Sequence, residues 1–184
     1  MRTPAAAVAL AAAVTALVAG TAGTAAAAPG AADHLELHSW TLLNPHDAGP
    51  NPGQRLTATV DARADRGHAR GHAVVQHVFI GTGTVRVEFD VDCLTVGSDG
   101  SVTVTGPTRT ASAVPDDGGP ATTGPAGWHP ETGLTFYPAD ERGERRVGWA
   151  GADLRDPSKP ARASRCTPVP ASDWVIGGGT VLRR

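Results

Sequence analysis

Thr84-Val85-Arg86-Val87-Glu88-Phe89-Asp90-Val91-Asp92-Cys93-Leu94 is the stretch on which the fold turns. Val85, Val87, Phe89, Val91 and Cys93 share one face, while Arg86, Glu88, Asp90 and Asp92 share the other. A period of two marks a strand with one face in a core and one in water. The apolar face is therefore expected to point inward, taking Cys93 with it. Immediately downstream, Gly97-Ser98-Asp99-Gly100 reads as a tight turn, after which Ser101-Val102-Thr103-Val104-Thr105 resumes the alternation. The two runs predict a β-hairpin.

The same pattern extends in both directions. Upstream, Leu56, Ala58, Val60 and Ala62 alternate with Thr57, Thr59, Asp61 and Arg63, and Ala73 to Ile80 is apolar enough for a more central strand. Downstream, Leu134 to Tyr137 and Arg146 to Ala150 flank the turn Asp140-Glu141-Arg142-Gly143, a second hairpin. Trp174 to Ile176 and Thr180 to Leu182 make a terminal strand interrupted by Gly177-Gly178-Gly179. Residues 29–52 hold Pro29, Pro45, Pro50 and Pro52 and read as irregular, with Leu35 to Leu42 as a possible edge strand. Pro115, Pro120, Pro125 and Pro130 mark a long loop of the kind that is often mobile or functional. No segment after the first 28 residues repeats apolar side chains at helical spacing. The expectation is an all-β domain over residues 53–184, an antiparallel up-and-down barrel or sandwich of seven or eight strands. Local connections favour the barrel.

Residues 1–28 read as a signal peptide: Arg2 supplies a charge, Ala5 to Gly20 is apolar or small, and Ala26-x-Ala28 suits cleavage after Ala28. The apolar run is shorter than the roughly 20 residues a membrane span needs. The protein is thus expected to be secreted and extracellular, with no membrane attachment after the leader is removed. Cys93 and Cys166 both follow the leader, and in a non-reducing compartment an even pair predicts a disulfide. The whole chain has a formal net charge of −2, which makes no case for a nucleic acid partner. Arg strongly outnumbers Lys, and Ala, Gly, Pro and Val are abundant, pointing to a GC-rich codon pool such as an actinobacterial one.

The segments Gly83 to Leu94, Val102 to Gly106, Phe136 to Asp140 and Arg146 to Trp149 together resemble a group of small secreted actinobacterial proteins sometimes labelled repetin-like. That resemblance rests on a central Cys-Leu strand, a Thr-Gly after the next strand and a late Cys, met here by Cys93, Gly106 and Cys166. It implies a β fold and the Cys93 to Cys166 bond, and it implies no activity. The long loop around Gly118 to Pro130 departs from the pattern.

No catalytic constellation emerges. His68 and His72 have the four-residue offset of paired ligands on a helix, but their segment is glycine-flanked and not helical, which leaves a zinc or copper site without a scaffold. Asp90 and Asp92 read as solvated carboxylates on a strand face, and no Gly-x-Ser-x-Gly elbow is present. Trp128 and His129, in the Pro-Gly loop, are the expected ligand contacts, Trp128 as an exposed aromatic. The sequence thus predicts a non-enzymatic binding module for a small ligand, a polymer or an extracellular protein, without a cofactor. The alternative is a secreted hydrolase or metal enzyme using His68, His72 or His129.

Overall fold

The structure is a computed structural model that describes residues 34–45 and 53–184; residues 1–33, which include the expected signal peptide, and residues 46–52 lie outside the described part. Ten strands follow one another: β1 (His34–Pro45), β2 (Gln54–Asp65), β3 (His68–Phe79), β4 (Gly83–Val91), β5 (Cys93–Val96), β6 (Val102–Pro115), β7 (Thr122–Thr123), β8 (Glu131–Phe136), β9 (Arg146–Ala150) and β10 (Asp173–Arg183). No helix occurs among the described residues. All pairings are antiparallel, in the order β4-β3-β2-β1-β10-β9-β8-β6-β5, and β4 also pairs with β6. That last pairing closes the sheet into a ring of eight staves, with β5 continuing the β4 stave and β7 a short addition to β6. The barrel is the observed form of the two all-β architectures that the strand pattern allows.

The alternation read from the sequence sets the inner face. Leu35 and Leu37 of β1, Leu56, Ala58, Val60 and Ala62 of β2, and Phe89 of β4 join one buried core with Val104, Leu134 and Val147. β1 differs from expectation. It is twelve residues long and is paired along both sides, with β2 and with β10, so it is an inner stave and not an edge strand in an irregular lead-in. Its alternation is genuine, but a strand's neighbours are set by a partner that lies far away in the chain. β10 likewise runs unbroken through its three glycines, with a register shift opposite Leu42 and Leu43. Gly178 there has φ of +80°, and a Cβ on it would lie 2.1 Å from the Trp40 carbonyl oxygen. The bulge and the bare backbone let Trp40 lie across β10.

Cys93 is a second correction. Val91 and Leu94 both belong to the core, so the parity changes between them at Asp92, which is outside the ladder. Cys93 pairs with Thr105 and so faces outward with it. It is nonetheless buried, because the segment 151–172 doubles back over the outside of β6, β8 and β9 as a strap. Cys166 in that strap is bonded to Cys93, with the two Cα atoms 5.5 Å apart. The Cys166 amide donates to Thr105 Oγ1 at 3.0 Å, the Val169 amide to Thr135 Oγ1 at 2.8 Å, and the Tyr137 hydroxyl to the Val169 carbonyl at 2.7 Å. The outward threonines that would otherwise be exposed thus become acceptors under the strap, and each buried hydroxyl has a partner.

Candidate functional site

The strap begins across one end of the barrel, and there the interior is not filled. A cavity of about 500 Å³ lies between β3, β4, β6 and the segment 149–155. Its walls follow from the register. Val75 pairs with Val87 and Val87 with Ala111, and one rung further out His77 pairs with Val85 and Val85 with Ala113. Paired residues share a face, so each rung turns three side chains into the cavity. Alanine on β6 leaves space where valine or leucine would fill it. The opposite wall is Trp149, which pairs directly with the core residue Leu134 and thus faces inward with it. Leu154 completes the apolar lining, and Arg155 and Arg162 stand at the rim.

His77 is the polar group on the inner wall. Its Nε2 lies 2.9 Å from Gln54 Oε1, and its ring stacks on Phe79 with centroids 3.9 Å apart. With the amide oxygen as acceptor, Nε2 is the protonated nitrogen and Nδ1 is left as an acceptor. Burial holds the imidazole below its ordinary pKa, against the opposing influence of Asp173. Asp173 is 4% exposed at the start of β10 and faces inward beside Val147. Burial raises its carboxyl, while the Ser172 hydroxyl, donating to Oδ2 at 2.5 Å, and the charge of His77 act the other way.

The shift of His77 has a sign that can be measured. A histidine whose folded pKa is depressed takes up its proton first in the unfolded chain, so acidification favours unfolding. Stability is therefore expected to fall as pH drops below about 6.5 through the ordinary histidine range. In His77→Gln, which keeps an amide facing Gln54 and cannot charge, thermal melts between pH 7.5 and 5 should show a shallower decline. An unchanged slope would show that His77 does not carry the pH dependence.

The residues singled out in the sequence lie elsewhere. Trp128 is half-buried and not an exposed aromatic. Its Nε1 donates to the Pro157 carbonyl at 3.2 Å, and its ring lies over Gly124. It pins the loop to the strap and does not line the cavity. His129 is exposed and donates from Nδ1 to the Thr108 carbonyl at 2.8 Å, close to Trp128 in the chain but outside the cavity. His68 and His72 are both on β3, four residues apart. Along a strand that spacing is about 13 Å, too far for one ion to reach both. His72 points outward toward Glu88 Oε2 at 3.4 Å, and no group of three or more His, Cys, Asp or Glu suited to a metal occurs among the described residues. Asp90 is exposed, and Asp92 accepts from Arg165 at 3.1 Å.

The opposite end of the barrel holds a second hollow of about 630 Å³ beside the disulfide, walled by Leu35, Ala64, Leu94 and Val96. Its Arg165 is already engaged by Asp92, and no buried group of altered pKa faces it. The cavity around His77 is the better candidate because apolar walls and a few convergent polar groups meet there. Comparison of the chain with protein-family models, curated proteins and solved structures finds no match.

Proposed function

We propose that the protein is a secreted, non-enzymatic binder of a small apolar molecule, which it holds in the cavity at the end of the barrel. The observation that supports this reading is the pair of rungs Val75-Val87-Ala111 and His77-Val85-Ala113, which turn five apolar side chains and one imidazole into open space instead of filling it. An apolar cavity of several hundred Å³ with few polar groups is the usual form of a small-molecule site. Acyl transfer is the weaker reading. Among the described residues Thr122 bears the only hydroxyl that lines the cavity, and none of them places a Ser or Cys there for His77 to activate. Export is supported by the leader-like first 28 residues together with the Cys93–Cys166 bond, which suits an oxidising compartment.

The neutral fluorophore N-phenyl-1-naphthylamine tests the proposal, since its emission rises on entering an apolar cavity. It is expected to bind the wild-type protein at micromolar concentration. Ala113→Trp, which fills the outer rung, should weaken binding by about tenfold or more. Val114→Trp, one residue on and facing solvent, should leave it unchanged. Binding that ignores Ala113→Trp in a protein with unaltered circular dichroism would place the fluorophore elsewhere and sink the assignment.

A further inference from the structure

The rim of the same cavity narrows the ligand class. Arg155 and Arg162 both line it, and among the described residues Asp153 is the only carboxylate that does. Both oxygens of Asp153 are engaged: Oδ1 accepts the backbone amide of Arg155 at 3.0 Å and Oδ2 accepts Lys159 Nζ at 3.2 Å. Asp156 also lies 3.5 Å from Lys159 Nζ. Neither the Arg155 nor the Arg162 guanidinium has a hydrogen bond or an ion pair with any described residue. Asp153 acts on Arg162 only at longer range, through its charge. Two exposed arginines with uncommitted guanidiniums thus line an apolar cavity whose inner wall offers the His77 acceptor.

A guanidinium presents a planar fork of donors that matches a carboxylate, and it is weakly hydrated, so it suits an acid held at a cavity mouth. From this juxtaposition, and resting on the reading of the cavity as a binding site, we infer that the ligand is an amphipathic acid: an apolar body between the β3, β4 and β6 rungs, with a carboxylate on Arg155 and Arg162. The loop bearing the two arginines is held by Trp128 through Pro157. That contact gives the Pro-Gly loop a positioning role behind the site.

The test compares dodecanoate with 1-dodecanol as competitors of N-phenyl-1-naphthylamine at pH 7.5, using wild type and Arg155→Gln/Arg162→Gln. The two share an apolar tail and differ in the headgroup. Wild type is expected to bind dodecanoate about tenfold more tightly than dodecanol, with the preference shrinking at high salt. In the double variant the two should bind alike, at the affinity wild type shows for dodecanol. Equal binding of the two by wild type, or a preference that survives in the double variant, overturns the acid headgroup and leaves the cavity reading standing. Failure of both to displace the fluorophore, or of the fluorophore to bind, overturns both.

Discussion

Cys93→Ala/Cys166→Ser is expected to lose about 4 kcal/mol of stability, from the loop entropy released when a bond spanning 73 residues is removed. For a domain of this size that corresponds to a fall in Tm of roughly 8–16 °C. The bond also clamps the strap about two-thirds of the way along it, so the loss should be uneven. Amide exchange at Val169, which is held by Thr135, should accelerate more than exchange at Val60 or Leu37 in the core. Intact mass and thiol titration of the wild-type protein should find no free thiol. A variant that melts at the wild-type temperature would show that the strap's hydrogen bonds suffice without the bond.

Gly148→Val should have an effect of the same order by another route. A Cβ at Gly148 would lie 2.2 Å from the Val169 carbonyl oxygen and 2.3 Å from that of Pro170, both of them backbone atoms. Neither can swing aside, so the strap must lift. Lifting exposes Val169 and releases its bonds to Thr135 and Tyr137, at a cost on the order of 3–4 kcal/mol for one apolar side chain and two hydrogen bonds. Denaturant melts measure the loss, and limited proteolysis within residues 160–170 should detect the lifted strap. Wild-type resistance and stability together would mean that β9 can shift to make room.

How much of this was legible in the sequence depended on whether a feature was local. Val85 to Val91, Leu56 to Ala62 and both hairpins follow from alternation and turn residues, because a strand's inner face is written in its own residues. The parity change at Asp92 is less so, since Val85 to Cys93 alternates without a break and the change lies where Gly106 of β6 comes against the Asp90 backbone. The strap has no period at all. Only Cys166 announced it. His77 was missed although a signal existed: it is in phase with Ala73, Val75 and Phe79, so an inward imidazole follows from the alternation of β3. Asp173 gave no such signal. Its burial depends on pairing with Pro45 and Val147, both remote in the chain. Trp128 drew attention as an aromatic in a loop, and its partner, the Pro157 carbonyl, belongs to a segment that composition alone leaves shapeless.

The pairing of β1 with β10 sets the order of events in folding. Glu36 and Arg183 form an ion pair across 147 residues of sequence, and the whole β1–β10 ladder lies at comparable separation. Contacts of that range form late, because the chain must first be brought together over its full length. Until β10 is in place, β1 and β9 each present an unpaired edge that other chains can extend. A growing chain thus reaches the closed barrel only once residues 173–183 are free to pair, and one that stops short of Asp173 has no closed form to reach.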